Sequence, residues 1–290
     1  MTGPLIDVAG LQELLASGTG AVLLDVRWEL GSTDGNKQYQ RGHIPGAVYA
    51  DLETDLAAPA GKGTEGRHPL PDPQDFAQTA RNWGISRGDT VVAYDAVGGT
   101  SAARAWWLLR HAGLDSVYLL DGGIVAWHRA GLALEGGSVE PPPGDVELSW
   151  GKMPVVQMWD VPAVVAGGKL LDARAKERYR GDREPVDPLA GHIPGAVNAP
   201  SASNLTEDGT FRAPEDLRAS FEALGVRRNA PVAVYCGSGV TAAHEVAALE
   251  LAGYRAALYP GSWSQWSATK GSPVAVGQKP GEWPGTGQRR

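Results

Sequence analysis

The sequence predicts an α/β protein of two tandem domains, each a short parallel sheet flanked by helices. Three observations predict it. The first is duplication. Gly42-His43-Ile44-Pro45-Gly46-Ala47-Val48 returns unchanged at 191–197, and Leu23-Leu24-Asp25-Val26-Arg27 returns as Leu170-Leu171-Asp172-Ala173-Arg174. Val91-Val92-Ala93-Tyr94 pairs in the same order with Val232-Ala233-Val234-Tyr235, and Asp121-Gly122-Gly123 before Trp127 pairs with Pro260-Gly261-Ser262 before Trp266. A period this long means a duplicated domain and not a solenoid. The second is length, since 290 residues hold two domains of ordinary size. The third is alternation of short apolar runs with Ala/Leu-rich stretches that stop at glycine.

Segments 21–26 and 170–173 are apolar runs that end in charge, as buried parallel strands do, and 91–94 and 232–235 read the same way. Segments 100–111 and 241–251 read as helices stopped at Gly113 and Gly253. Between the halves, Gly136-Gly137-Ser138-Val139-Glu140-Pro141-Pro142-Pro143-Gly144 reads as a linker that its prolines keep semi-extended. The expected domains are 1–135 and 153–290, joined by a linker at 136–152. In parallel sheets the functional loops follow the C-terminal ends of strands. Asp95 holds that place in the first half and Cys236 in the second. The scaffold repeats and the chemistry does not.

Apolar residues make up 42% of the chain and charged residues 20%, an ordinary globular balance. A net charge of −7 argues against nucleic acid as a partner and leaves small anionic substrates open. No apolar run approaches the roughly 20 residues of a membrane span. The start has no basic segment followed by an apolar one, and the single cysteine permits no intrachain disulfide. A cytoplasmic protein without a membrane partner is expected. Neither metal-ligand spacing nor a Gly-rich phosphate loop is present, so no metal and no cofactor are expected. The tryptophans, Trp106, Trp107, Trp150, Trp159, Trp263 and Trp266 among them, read as packing residues.

Cys236-Gly237-Ser238-Gly239-Val240-Thr241 joins strand to helix. A thiol there meets the positive end of the helix dipole and unpaired backbone N–H groups, which favours the thiolate. Gly237 and Gly239 let those amides converge on one point. An anion bonded to the sulfur would be held as well. The competing reading is a buried, inert cysteine, which the polar Asp95 at the matching position disfavours.

With these residues the chain resembles the tandem-domain rhodanese-type sulfurtransferases over about residues 5–270. The paired Gly-His-Ile-Pro-Gly-Ala segments and the Cys-Gly-Ser-Gly-Val-Thr loop carry the resemblance. The loop is similar to that of 3-mercaptopyruvate sulfurtransferases, whereas thiosulfate-preferring rhodaneses more often carry basic residues after the cysteine. The resemblance implies a first domain that is non-catalytic, with Asp95 at the cysteine position. It implies a double displacement in which the Cys236 thiolate takes sulfur from a small anionic donor, 3-mercaptopyruvate favoured, and passes it to a thiol, cyanide or a thioredoxin-like acceptor. Thiosulfate:cyanide sulfur transfer is the alternative.

The resemblance also assigns roles. Arg178 matches the arginine that holds the donor's anion, for which a guanidinium fork is suited. Its competing reading is a surface arginine paired with Asp182 or Glu184. A second arginine usual before the Gly-His motif is absent from Glu184-Pro185-Val186-Asp187-Pro188-Leu189-Ala190, leaving Arg180 or Arg183 as replacements. Ser238 matches the serine of a relay with a histidine and an aspartate of the first half. His43 fits that histidine and Asp34 that aspartate. His43 can equally be a residue that ties its turn, and the repetition favours that role for His192. Gly237, Gly239 and Val240 complete the substrate loop, and Thr241 is expected to cap the helix. Asp172 and Arg174 are expected to fix a strand end. A cysteine-dependent phosphatase would need an arginine in the loop, and none follows Cys236. A non-catalytic persulfide-binding module would lack Cys236, Ser238 or Arg178, and all three are present.

Overall fold

Apolar runs four or five residues long make the inner strands, and the residue that ends each run decides what its loop can do. The structure, a computed structural model, describes residues 3–61 and 64–284. Residues 1–2 and 285–290, at the outer ends of the two expected domains, lie outside the described residues. The chain divides into two units. One comprises Met1–Ala58, Leu70–Met153 and Leu205–Phe211, and the other Pro59–Pro69, Pro154–Asn204 and Arg212–Arg290.

The first unit runs β1 (Leu5–Ile6), α1 (Val8–Ala16), β2 (Ala21–Asp25), α2 (Gly35–Arg41), β3 (Val48–Tyr49), α3 (Pro73–Asn82), β4 (Thr90–Tyr94), α4 (Ala102–His111), β5 (Val117–Leu120) and α5 (Gly123–Arg129). Its sheet has the order β1-β5-β4-β2-β3 with every pair parallel. Val91, Val92, Ala93 and Tyr94 of β4 are all buried, so the strand shows no polar alternation, as a sheet covered on both faces requires. Helix α4 is buried from Ala102 through Leu109 and is apolar nearly all round for that reason. It starts at Ala102, not at Thr100, because the N–H groups of Ser101 and Ala102 donate to the Asp95 carboxylate. Gly113 follows it with φ +93°, the left-handed residue that ends the helix.

The Pro/Gly stretch does not hang between the units. The Gly144 N–H donates to Arg81 O at 2.8 Å, Ser149 N–H to Ala112 O at 2.8 Å and Lys152 N–H to His111 O at 3.0 Å. Trp150 meets Phe76 and His111 edge to face. An extended chain satisfies its amides most easily on carbonyls left over at helix ends, and this one does so within the first unit.

The second unit runs α6 (Val161–Gly167), β6 (Lys169–Asp172), α7 (Lys176–Arg180), β7 (Val197–Asn198), α8 (Pro214–Ala223), β8 (Val232–Tyr235), α9 (Thr241–Leu251), β9 (Ala257–Leu258) and α10 (Ser262–Ala268). Its sheet has the order β7-β6-β8-β9, again all parallel. Leu170, Ile193, Ala233, Tyr235, Tyr259, Trp263 and Trp266 form one core cluster on it. Trp106, Trp107 and Trp263 are wholly buried, whereas Trp159 is exposed and packs no core. No helix among the described residues is long and apolar enough to cross a membrane.

The duplicated motifs do one structural job twice. Arg174 Nη2 bonds Asp172 Oδ2 at 2.6 Å and Gly191 O at 2.7 Å, and its guanidinium lies 4.6 Å from the centre of the Trp263 ring. Arg27 Nη2 bonds Asp25 Oδ2 and Gly42 O, each at 2.7 Å. Each strand-end arginine therefore pins the glycine that opens the Gly-His-Ile-Pro-Gly turn. His192 stacks on Tyr179 and bonds Tyr179 O and Lys279 O. His43 stacks on Tyr39, with Nδ1 on Tyr39 O at 3.0 Å and Nε2 on Glu135 Oε1 at 3.1 Å.

Candidate active site

All residues described in this site lie in the second unit. β8 ends at Tyr235, and Cys236 starts the turn into α9. Gly239 has φ +79°, and a Cβ there would stand 2.4 Å from Pro260 O, so the turn closes only with glycine. The Gly239 N–H donates to Cys236 Sγ at 3.2 Å. The next helix staples the loop from below. Cys236 O accepts from Trp263 N at 3.0 Å and Gly237 O from Ser264 N at 2.9 Å. The Cys236 N–H donates to Ser262 Oγ at 3.1 Å, and that hydroxyl donates to Tyr259 O at 2.9 Å. Ser262 holds φ +52°, the one positive φ outside glycine among the described residues. That conformation costs about 1 kcal/mol, which its two hydrogen bonds at the base of the loop offset.

Segment 59–69 carries two further groups into this unit. The Arg67 N–H donates to Ser264 Oγ at 3.1 Å, and Gln265 Nε2 donates to Thr64 O at 2.8 Å. With the segment fixed, His68 Nδ1 lies 2.7 Å from Ser238 Oγ, both side chains buried. A histidine on the hydroxyl of the loop serine makes a proton path beside the cysteine.

Above Gly237 stand two guanidiniums. A Cβ on Gly237 would be 3.1 Å from Arg67 Nη2 and 3.2 Å from Arg178 Nη1. Arg178 lies on the last turn of α7. The Asp187 carboxylate bridges the pair, taking Arg67 Nη1 on Oδ1 and Arg178 Nη2 on Oδ2 at 3.0 Å. Glu184 takes Arg178 through Nη2 at 2.7 Å and Nε at 3.2 Å. Burial raises the Asp187 carboxyl above the usual carboxylate range, with Arg67 acting against it and Glu184 adding to it. The guanidiniums thus sit between buried carboxylates and the cysteine loop.

The structure brings Cys236, Gly237, Ser238, Gly239 and Arg178 together. Val240 is buried and is the N-cap of α9, and no side chain caps that helix. Thr241 is its first residue and not the capping group, since Val240 holds the N-cap position. Arg178 is engaged by Glu184 and Asp187, while Asp182 is taken by Arg180 through Nε at 2.7 Å. The groups nearest Gly237 are those of Arg67 and Arg178, and neither Arg180 nor Arg183 is among them. His43 and Asp34 belong to the first unit. Both ring nitrogens of His43 are committed there, and Asp34 is exposed and paired with Lys37 at 2.9 Å, which holds its carboxyl below the usual range. The histidine on Ser238 is His68, not His43. The sequence reading missed both His68 and Arg67. Their signal was available: Gly66-Arg67-His68 has no copy in the second half.

A model of the rhodanese-like domain matches residues 7–130 and 157–269. A Pseudomonas aeruginosa protein that carries the name 3-mercaptopyruvate sulfurtransferase is 49% identical over 267 residues, covering 88% of this chain and 92% of its own. A Mycobacterium tuberculosis protein, SseB, named as a thiosulfate sulfurtransferase, is 45% identical over 276 residues, covering 94% of this chain and 97% of its own. The crystal structure of SseA from Escherichia coli, described as a 3-mercaptopyruvate sulfotransferase with the rhodanese fold, superposes with a TM-score of 0.79 at 33% identity, covering 90% of this chain and 99% of that one.

Proposed function

The chain belongs to the rhodanese-like domain family, as a two-domain sulfurtransferase, and on that premise we propose that it takes sulfur from 3-mercaptopyruvate and hands it on through a persulfide on Cys236. The observation that carries the proposal is the surroundings of Cys236: its sulfur accepts the Gly239 N–H, and two guanidiniums stand over the next residue. The Cys236 thiolate attacks the donor's sulfur. The carbon–sulfur bond breaks, its electron pair leaves on carbon as the pyruvate enolate, and the enolate takes up a proton to give pyruvate. Arg178 holds the donor carboxylate. Ser238 and His68 stand where a proton can be moved to the leaving enolate. The persulfide that remains is an anion, suited to the amides of the loop. A thiol or cyanide then attacks the outer sulfur and returns Cys236 as thiolate. With no second cysteine in the chain, the acceptor comes from outside, a small thiol, cyanide or a thioredoxin-like protein. The proposed setting is the cytoplasm.

One observation favours a second reading, thiosulfate as donor. Arg67 adds a second positive charge beside Gly237, which a doubly charged donor exploits better than a singly charged one. In that reaction the sulfur–sulfur bond breaks and sulfite leaves. The test is a comparison of kcat/KM for the two donors with cyanide as acceptor, read as thiocyanate. A higher value for mercaptopyruvate supports the first reading, and a higher value for thiosulfate replaces it with the second.

A further inference from the structure

We infer that the second unit carries a separate anion-binding site on α7, apart from the Cys236 loop, which takes a small molecule bearing two or more phosphate or carboxylate groups. A cleft of about 400 Å³ opens beside α7 and β7, lined by Lys176, Tyr179, Arg180, Asn198 and Gln278. Two of these side chains are cations and none is a carboxylate. The volume is that of a small-molecule site and exceeds what a lone inorganic ion fills. Arg178 turns its guanidinium to Gly237. Lys176 and Arg180 lie two positions to either side of it, about 200° round the helix. The cleft is therefore on the other side of α7 from the nucleophile.

The duplication shows how the place comes to be open, because the first unit fills it. Tyr49 and Asn198 are equivalent: each ends an edge strand and pairs with the aspartate that ends the neighbouring one. Tyr39 and Tyr179 are equivalent too, since each stacks on the histidine of the repeated turn and donates to its alanine carbonyl. In the first unit the Tyr49 ring lies 5.4 Å from that of Tyr39, and its hydroxyl donates to Arg27 O at 3.4 Å. In the second, Asn198 Nδ2 donates to Asp172 O at 3.0 Å and to Arg174 O at 2.9 Å. The asparagine replaces the tyrosine's bond but not its volume. The residues three before and one after the shared tyrosine are Asn36 and Gln40 in the first unit, and Lys176 and Arg180 in the second. Loss of the ring thus coincides with gain of two positive charges.

The donors of the cleft are largely uncommitted. Lys176 has no ion-pair partner among the described residues. Arg180 gives Nε and Nη2 to the exposed Asp182 and keeps Nη1. The Gly277 N–H donates to Arg180 O at 2.8 Å, which sets Gln278 beside the end of α7. Two cations against one carboxylate leave net positive charge, and the ammonium, the guanidinium edge and the amide suit oxyanion groups.

The experiment is calorimetric titration of the full chain with pyrophosphate and with citrate at low ionic strength. At least one is expected to bind with a Kd below about 1 mM, and the tighter of the two shows whether the site prefers phosphate or carboxylate oxygens. The double variant Lys176→Asn/Arg180→Gln carries the first unit's residues and is expected to bind at least about tenfold more weakly. Asn198→Tyr restores the first unit's ring and is expected to weaken binding as much by filling the cleft. An anion held by the guanidiniums over Gly237 would be indifferent to all three changes. Kd values within about twofold of wild type in the double variant therefore overturn the inference, as does a wild type that binds neither anion. Should Asn198→Tyr fail to fold, the double variant, which breaks no buried hydrogen bond, decides by itself.

Discussion

The loops after β4 and β8 leave matching strand ends with different first residues, and the first is the longer, reaching α4 only at Ala102 where the second reaches α9 at Thr241. In the first unit that residue is Asp95. Asp95 Oδ1 accepts the N–H groups of Val97 and Gly99, each at 2.8 Å, and Oδ2 accepts those of Ser101 at 2.8 Å and Ala102 at 2.9 Å. In the second unit Cys236 stands at that position and its sulfur accepts the Gly239 N–H. The first loop shows what the cradle binds, a compact anion. The second offers a sulfur to the Gly239 N–H, at the place where the proposed reaction would leave a persulfide anion. The stapling residue changes too. Gly123 lies at φ +57° where a Cβ would stand 2.2 Å from Asp95 O, whereas the second unit places Ser262 there and uses its hydroxyl to hold the Cys236 N–H.

The comparison breaks most visibly at the sulfur. Cys236→Ser is expected to abolish thiocyanate formation while the protein stays folded, since a serine hydroxyl is a poor nucleophile toward sulfur. Cys236→Asp sharpens the same point. It puts a carboxylate at the start of the second loop as Asp95 stands at the start of the first, so it is expected to be equally inactive and, if the Gly239 N–H and its neighbours accept the carboxylate, to melt higher than Cys236→Ser. The measurement is thermal unfolding of both variants.

The next effect separates His68, which stands on the loop serine, from His43, which ties its own turn. His68→Ala is expected to lower kcat by about 10²–10⁴, the range of a lost proton relay, and Ser238→Ala to do much the same. His43→Ala is expected to leave kcat near wild type in protein that remains folded and to cost about 2–3 kcal/mol of stability, through its buried bonds to Tyr39 and Glu135. Steady-state rates and urea melts on the three variants distinguish these outcomes.

That pair of histidines also marks where the sequence stops being readable. The duplicated strands, the glycine stops of α4 and α9, the two parallel sheets and the Cys236 loop were all legible, because each depends on a local pattern of apolar residues and turn glycines. Arg178 was legible through the family resemblance, which matches it to the arginine that holds the donor's anion. His68 and Arg67 were passed over although Gly66-Arg67-His68 occurs once, because segment 59–69 follows β3 in sequence and yet belongs to the second unit. Repetition was the misleading cue. A motif present in both halves serves what both halves share, which is the turn that Arg27 and Arg174 pin. A residue present once, such as His68, stands beside the loop that occurs once, the one that carries Cys236.

A smaller effect concerns the anion cradle itself. Asp95→Asn turns an amide nitrogen toward backbone donors and removes the charge they bind, so a loss of about 2–3 kcal/mol is expected, with donor KM unchanged. Chemical denaturation checks the first part and steady-state kinetics the second.

One more effect lies outside the two loops, on α9. Glu245 is fully buried, with Oε2 accepting from Asn204 Nδ2 at 2.6 Å and no hydrogen-bond partner for Oε1 among the described residues. Burial raises its carboxyl to about 8, with the Asn204 bond acting against it. The folded protein therefore binds a proton that the unfolded chain releases between roughly pH 4.5 and 8. Stability from this group is full below that window and is lost as pH rises through it. Glu245→Gln is expected to flatten the fall of unfolding free energy across the window. A slope unchanged from wild type would show that Glu245 is ionised in the fold.

The central claim is that Cys236 carries the sulfur between donor and acceptor. The most direct test is the intact mass of the protein after incubation with mercaptopyruvate in the absence of acceptor. The account predicts a gain of one sulfur atom, absent in Cys236→Ser, and its loss on adding cyanide with release of thiocyanate in equal amount. Protein that turns the donor over yet keeps its unmodified mass, or that gains sulfur which cyanide does not remove, would contradict it.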